Sequence, residues 1–264
     1  MKDSLPLSPI WQTEFGDGPL VACAAHSGHA VRPDVAALLK LDDRERLYEE
    51  DPFTGRWTDV APTRVIGLRS RFEVDLNRPR HSAVYLRPDD CWGLDVWQSP
   101  PSPEVVARSL AEYDDFYSHL HFLLAGLVTT HGCVVVFDLH TYNHCRAGAG
   151  SPPDDSDKNP EINLGTGSLE RAVWAPVVER FLTELRTFDY LGRQLDVREN
   201  VKFFGGELPK WVHRTFPQTV CVLAIEVKKF FMDELTGELD ETQFQAIHGA
   251  LAQAAAGVVD ELKC

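Results

Sequence analysis

Several features that mark particular classes of protein are missing from this sequence. Its six cysteines are scattered without a Cys-x-x-Cys pair, which argues against a cysteine-based zinc site and favours a reducing compartment. No apolar run approaches the roughly 18 residues of a membrane-spanning helix, and the first residues contain no apolar core of a signal peptide. We therefore expect a cytoplasmic protein with no membrane partner.

Positive charge is also scarce, with 26 Lys and Arg against 40 Asp and Glu and a net charge of −14. No run of Lys or Arg offers a footprint for phosphates, so we expect no nucleic-acid partner. An anionic small substrate is still compatible with this charge, because a local group of arginines can override it at close range.

What is present is the composition of an ordinary globular domain, with 264 residues of which 44% are hydrophobic and 25% charged. We expect a single domain over residues 1–264. Strand-like apolar runs alternate with long helical patterns, which predicts an α/β fold, a three-layer α/β/α sandwich around a mostly parallel mixed sheet. The clearest helical pattern covers 102–132, with a Ser cap followed by Pro and Glu.

The remaining elements follow from the same patterns. We expect helices over 33–50 (two), 169–188 and 241–262, and strand-like segments over 63–80, 134–143, 201–206 and 217–233, with a short buried strand that enters a loop over 19–29. The segment 143–167 is a loop rich in Gly, Pro and Asp that can cover a small pocket, and 205–217 is a loop whose Trp211, His213 and Arg214 either line a pocket or face solvent.

Polar groups stand at the ends of several of these strands. The apolar run 134–137 is followed by Asp138 and His140, and the strand containing Val222 ends in Glu226. In a mostly parallel sheet the active crevice lies outside the carboxyl ends of the strands. Each group alone is also typical of a surface turn, but together they indicate one site at this edge.

The residue types favour a catalytic zinc site, which needs three N or O ligands and an open position for water. His26 and His140 are the predicted imidazole ligands. The third ligand is expected to be a carboxylate from the segment 49–51, with Glu50 preferred and Asp51 next, and His29 is a further alternative. Asp138 is two residues before His140 on an extended segment, so it is placed to accept the second ring N–H of this ligand.

Four further residues complete the predicted site. Glu226 is the candidate general base for a metal-activated water. Arg71, or Arg69, is expected to stabilise the developing oxyanion. Asn77 and Arg78 would bind a substrate carboxylate, because a guanidinium presents paired donors that match it.

These residues and their surroundings resemble the N-formylglutamate amidohydrolase family, which is related to zinc carboxypeptidases and aspartoacylase-like deacylases. The resemblance runs from about Val21 to Phe231 and rests on the order and spacing of six segments: HSGH (26–29), EEDPFTGRW (49–57), SRFEVDLNRPR (70–80), DLHTYN (138–143), NLGTG (163–167) and AIEVKKFF (224–231).

The resemblance implies a zinc-exopeptidase-like fold with one Zn²⁺ on His26 and His140. It also implies that Asn77 and Arg78 hold the substrate carboxylate, that Arg71 polarises the carbonyl and that Glu226 is the base. One departure concerns the carboxylate ligand, because related enzymes have Glu three residues after the first His and this chain has His29.

The expected activity is hydrolysis of an N-acyl acidic amino acid such as N-formyl-L-glutamate. A carboxypeptidase using the same residues is the alternative enzyme, and a non-catalytic ligand-binding member of the fold is the alternative outside enzymes.

Overall fold

The computed structural model describes residues 9–146, 152 and 154–262, and its centre is a seven-stranded mixed sheet. The strand order is β1-β3-β2-β4-β7-β5-β6, with bounds Trp11–Glu14 (β1), Leu20–Ala24 (β2), Thr63–Gly67 (β3), Val134–Tyr142 (β4), Ile162–Gly165 (β5), Val197–Glu199 (β6) and Val220–Lys228 (β7). The neighbours β3, β2, β4 and β7 run parallel, whereas β1 pairs antiparallel with β3 and β5 pairs antiparallel with β7. The predicted mostly parallel mixed sheet is confirmed.

The described residues contain seven α-helices, six between strands and the last after β7: Pro33–Ala36 (α1), Asp43–Glu49 (α2), Thr54–Trp57 (α3), Pro103–His131 (α4), Ala175–Thr187 (α5), Glu207–Thr215 (α6) and Glu241–Glu261 (α7). The long α4 begins at a Ser102 cap, whose hydroxyl accepts from the Val105 N–H, and ends at Gly132, whose φ of 79° suits glycine. No helix among the described residues is long and apolar enough to cross a membrane.

The two faces of the sheet carry separate apolar cores, which makes the three layers. On one face Val135, Phe137 and Leu139 of β4 pack in a core that includes side chains of α5 and α7. On the other face Val134 and Val136 pack in a core that includes side chains of α4 and α6. Because successive strand residues point to opposite faces, a strand covered on both sides reads as a continuous apolar run.

Three predicted elements differ from the structure. The strand-like pattern over 63–80 is a strand only to Gly67. The chain then forms turns, in which Arg69 pairs with Glu73 and Arg71 with Asp75, each four residues apart. The strand expected over 201–206 lies earlier, at β6. The segment 205–217 contains helix α6 rather than a loop.

Candidate active site at the carboxyl ends of the parallel strands

His26 and His140 meet at the carboxyl ends of two neighbouring parallel strands. His26 lies in the turn just after β2, and His140 is near the end of β4, which pairs with β2. Their ring centroids are 5.0 Å apart, and both side chains are buried. The structure brings together the two imidazoles that the sequence analysis expects to share a metal.

Asp51 is the acidic member of this group. Its Oδ2 lies 2.9 Å from His140 Nδ1 and 3.4 Å from His26 Nδ1. The Asp51 N–H donates to the His26 carbonyl at 3.1 Å, and the Thr141 hydroxyl donates to Asp51 Oδ1 at 3.1 Å. Burial alone raises the pKa of Asp51, but the neighbouring imidazoles of His140 and His26 hold that pKa well below its usual value. Asp51 is therefore present as a carboxylate.

The side chain of Glu50, the preferred carboxylate of the sequence analysis, does not join this group. Its Oε2 lies 2.5 Å from His29 Nδ1, and the Ser70 hydroxyl donates to its Oε1. The backbone is extended at Glu50, with ψ of 173°, so consecutive side chains point in opposite directions. Glu50 and His29 consequently bind one another while Asp51 faces His26. Asp51, which the sequence offers as the second candidate after Glu50, is therefore the carboxylate that lies between the two histidines.

Each imidazole has a second carboxylate on its far side. Asp138 Oδ1 lies 2.9 Å from His140 Nε2, as the sequence predicts for two residues on one face of a strand. Asp75 Oδ1 lies 2.7 Å from His26 Nε2. Both Asp138 and Asp75 are buried, so they fix the ring orientation and the tautomer of the two histidines.

This arrangement fits a divalent cation. When each Nε2–H donates to its outer carboxylate, the Nδ1 lone pairs of His26 and His140 are left facing Asp51 Oδ2. His26 Nδ1 is buried and has no hydrogen-bond partner among the described residues. Ligands of a tetrahedral zinc, at about 2.1 Å from the metal, are roughly 3.4 Å from one another. The distance from Asp51 Oδ2 to His26 Nδ1 is 3.4 Å, and the distance to His140 Nδ1 is shorter by 0.5 Å, at 2.9 Å. The donor set is thus two imidazoles and one carboxylate.

A second group of potential ligands lies farther along the chain, where His144, Cys145 and Glu234 place side-chain atoms within 4.8 Å of one another. There the Glu234 carboxylate already accepts the backbone N–H of His144 at 2.6 Å and that of Cys145 at 3.1 Å. These hydrogen bonds account for the position of Glu234 without a metal.

Glu226 lies beside His140, because the two residues are register partners in the β4–β7 pair. Its side chain lines the same cavity as His26 and Asp51 rather than facing open solvent. Burial raises the pKa of Glu226 to about 7, and positive charge on His140 opposes this shift. A carboxyl group with such a pKa can exchange a proton near neutral pH.

Of the two arginines proposed for the oxyanion, Arg71 lines the cavity and Arg69 does not. Arg71 donates to Asp75 Oδ2 through Nη2 at 2.8 Å and to the Glu49 carbonyl through Nη1 at 3.2 Å. Arg69 donates to both oxygens of Glu73, at 3.0 and 3.1 Å. The structure therefore brings Arg71 to the site and places Arg69 in a buried ion pair.

Asn77 and Arg78 also line the cavity but are held differently. Asn77 Oδ1 accepts the Leu208 N–H at the start of α6, and its Nδ2 lies 3.1 Å from His140 Nε2. The Asn77 side chain also lies against the backbone of residue 206, which must be glycine because a Cβ atom there would lie 2.4 Å from Asn77 Oδ1. The Arg78 side chain is 40% exposed, and its nearest ion-pair contact is 4.0 Å, to Asp75. The Arg78 side chain is thus more accessible than that of Asn77 to a ligand in the cavity.

The cavity has a volume of about 360 Å³. We use the name floor for the buried lining residues His26, Asp51 and His140 together with Asp75 and Asp138, which lie behind the two histidines. The rim consists of the lining residues Arg78, Trp92, Arg146 and Lys210. Phe203 to Gly206 and Lys210 close one side, so part of the predicted pocket-lining segment 205–217 reaches the cavity. Trp211, His213 and Arg214 do not line this cavity, although Trp211 lines a separate pocket beside α4.

Several site residues were not assigned a role from the sequence. Asp75 stands in the quoted RFEVDLNR motif, but its partner His26 is 49 positions away and no local pattern links them. Arg146 reaches the rim from the predicted loop 143–167, where it binds both oxygens of Glu49 at 2.7 and 3.1 Å. Residues 147–151 and 153 of that loop lie outside the described residues, so its role as a cover stays a prediction.

The fold and this cluster define an α/β protein with a His–Asp–His group at the carboxyl ends of its parallel strands. The family model of N-formylglutamate amidohydrolase matches residues 18–232. The chain therefore belongs to the N-formylglutamate amidohydrolase family, as the sequence motifs indicated, and this membership supports hydrolase activity on a small molecule.

Solved structures agree on the fold. The chain is similar to the crystal structure of N-formylglutamate amidohydrolase from Ralstonia eutropha JMP134, with a TM-score of 0.75, 18% identity and coverage of 97% of this chain and 99% of that chain. It is also similar to gene product Atu2144 from Agrobacterium tumefaciens, with a TM-score of 0.68, 16% identity and 97% of each chain covered. No curated protein sequence matches the chain significantly.

Proposed function

We propose that this protein is a zinc-dependent amidohydrolase that removes an N-acyl group, such as formyl, from an acidic amino acid such as glutamate. The observation that carries the proposal is the convergence of His26, Asp51 and His140 beside Glu226 in one cavity. Membership of the N-formylglutamate amidohydrolase family supports both the reaction type and the class of substrate.

His26, Asp51 and His140 would hold the metal through two Nδ1 atoms and a carboxylate oxygen. Zn²⁺ bound there would act as a Lewis acid toward a carbonyl and lower the pKa of a water. Asp75 and Asp138 keep the two imidazoles in the orientation and tautomer that this ligation requires.

Glu226 is the proposed general base and acid. It accepts a proton as water attacks the acyl carbon, and it returns a proton to the amide nitrogen as the C–N bond breaks. The products are a carboxylic acid, formic acid for a formyl substrate, and the free amino acid. The raised pKa of Glu226, about 7, suits both transfers, because a group with this pKa can accept a proton and also donate it near neutral pH.

Arg71 is the proposed stabiliser of the negative charge that develops on the acyl oxygen. Asp75 and the Glu49 carbonyl fix its guanidinium in place, so little reorganisation is needed during the reaction. This rigidity distinguishes Arg71 from Arg78, whose side chain has no short ion pair among the described residues.

Arg78 is the proposed ligand of the substrate carboxylate, with Asn77 beside it. A guanidinium donates two parallel hydrogen bonds to a carboxylate, and the half-exposed position of Arg78 leaves its donors accessible from the cavity. Asn77 Oδ1 is occupied by the Leu208 N–H, so the Asn77 Nδ2 group is the one left to donate. A cavity of about 360 Å³ favours an acylated amino acid over a longer peptide.

The test begins with protein stripped of metal by a chelator and then titrated with Zn²⁺. We expect release of formate from N-formyl-L-glutamate to rise with zinc and level off at one equivalent. N-formyl-L-leucine, N-acetyl-L-glutamate and a C-terminal glutamyl dipeptide compare the amino acid, the acyl group and the peptidase alternative. Binding of one zinc without hydrolysis of any of these compounds would instead identify a ligand-binding member of the fold.

A further inference from the structure

Lys229, the first residue after β7, spans the gap between the sheet and the segment that carries Asp51. The residue is buried, and its Nζ donates to the carbonyl of Tyr48 at 2.6 Å and to that of Glu50 at 2.8 Å. Its backbone N–H donates to the Tyr142 carbonyl, two residues after His140, at 3.0 Å. One residue thus joins the end of β4 to the backbone on either side of Glu49.

The segment 48–51 contains the C-terminal end of α2, at Glu49, and the two residues after it, and it is not part of the sheet. The last carbonyls of a helix have no intrahelical partner, so other groups must bind them. Besides Lys229, Asn143 Nδ2 donates to the Tyr48 carbonyl at 2.7 Å and Arg71 Nη1 donates to the Glu49 carbonyl at 3.2 Å. Side chains from the site region therefore dock this helix end and, with it, the next residue, Asp51.

We propose that Lys229 is a positioning residue for the metal centre, which places the Asp51 carboxylate by binding the carbonyls of Tyr48 and Glu50. The inference rests on the proposed function, because it takes Asp51 as a metal ligand. Without the two hydrogen bonds the end of α2 loses an anchor to the sheet, and Asp51 is less well placed opposite the two imidazoles.

The chemistry of a buried lysine supports this role over simple packing. Burial lowers the pKa of Lys229 to about 8, which shows that the charge is costly where it stands. No carboxylate of the described residues lies within ion-pair distance of its Nζ, so carbonyl groups are its hydrogen-bonding partners. An apolar residue of similar length would fill the same space at lower cost but would leave the carbonyls unpaired.

Lys228 provides a matched control one residue earlier. It is half-buried and its Nζ donates to the Asn159 carbonyl at 3.0 Å, away from the segment 48–51. Lys228→Met removes the same chemical group from the neighbouring residue, the last of β7, without touching the end of α2.

The experiment measures zinc affinity of metal-free protein by competition with a chromophoric chelator, and amide hydrogen exchange of the peptide that contains residues 48–51. We expect Lys229→Met to bind zinc about 10–100-fold more weakly, the range typical for partners that orient ligands, and to exchange faster in that peptide. Lys228→Met should stay within about twofold of the wild type in both measurements, and Lys229→Arg, which keeps the donors, should recover part of the lost affinity.

Circular dichroism and thermal melting confirm that each variant is folded, and Lys229→Leu, which also lacks the donors, replaces the Met variant if the latter is not. A folded Lys229 variant of either kind with wild-type zinc affinity overturns the inference and leaves the proposed function standing. A wild-type protein that binds no zinc contradicts the proposed function itself.

Discussion

The floor and the rim of the cavity are built in opposite ways. Each of the floor histidines contacts two carboxylates, and His26, Asp51 and His140 are at most 3% exposed. On the rim, the side chains of Arg78 and Arg146 are each 40% exposed, and within the described part of the chain the nearest ion-pair contact of Arg78 is 4.0 Å, to Asp75. A preorganised floor suits charge that develops in a transition state, whereas an exposed, positively charged rim suits capture of an anionic substrate from water.

Trp92 links the two regions. Its ring lies 4.8 Å from the Arg71 guanidinium, which Asp75 holds against the floor. The same ring lies 5.9 Å from Arg78 and 6.0 Å from Arg146 on the rim. This difference between floor and rim predicts that floor substitutions abolish metal binding or turnover, whereas rim substitutions change the affinity for substrate.

The largest effect is expected for Asp51→Asn on the floor. The amide keeps the size of the side chain but loses the negative charge, so zinc affinity should fall by more than about 100-fold. This loss exceeds the 10–100-fold that is typical when a residue that only orients a metal ligand is changed. Hydrolysis should disappear with the metal. Zinc titration followed by an activity assay measures both.

Glu50→Gln is the matched control for this change. It alters the neighbouring carboxylate, which binds His29 and Ser70 instead of the floor histidines, so zinc affinity should stay close to that of the wild type. Metal loss in the Glu50 variant and retention in the Asp51 variant would restore Glu50 as the ligand.

The second effect separates chemistry from metal binding. Glu226→Gln keeps the shape of the base but removes its ability to accept a proton, so turnover should fall about 10²–10⁴-fold with zinc still bound. His140→Ala, by contrast, should lose zinc and turnover together. Hydrolysis at the wild-type rate by the Glu226 variant would remove this residue from the mechanism.

The sequence predicted the parts of the floor that depend on regular strands. The apolar run of β4 located Asp138 and His140 at a strand end, and their spacing of two residues placed them on one face of the sheet. The carboxyl-end rule for parallel sheets then brought His26 and Glu226 to the same edge.

The parts that could not be predicted depend on irregular backbone. Whether Glu50 or Asp51 faces the histidines is decided by the extended conformation that follows α2, which a pattern of three acidic residues does not reveal. The role of Asp75 could not be predicted, because its segment alternates in the sequence like a strand. Its contacts with His26 and Arg71 arise from the turns that the chain forms there instead. The rim residues Trp92 and Arg146 reach the cavity from loops with no periodic pattern.

The third effect concerns the rim. Arg78→Met should raise KM for N-formyl-L-glutamate about 10–100-fold with little change in kcat, because charged hydrogen bonds of about 1.5–3 kcal/mol are lost from binding. Arg80→Met is the control, since Arg80 pairs with Asp114 through an exposed ion pair and does not line the cavity. A fall in kcat with unchanged KM would move Arg78 from substrate binding to the chemical step.

The smallest effect is expected for Trp92→Leu, which removes the ring shared by the floor and the rim. Each exposed cation–π contact contributes about 0.5–1 kcal/mol, and Arg71 retains its hydrogen bonds to Asp75, so KM should rise about two- to fivefold while kcat is kept. Phe122→Leu, on the exposed surface of α4 and outside the cavity, controls for loss of an aromatic ring. A Trp92 variant whose kcat falls tenfold would show that the rim orders Arg71 for catalysis, and the separation between floor and rim would then fail at this residue.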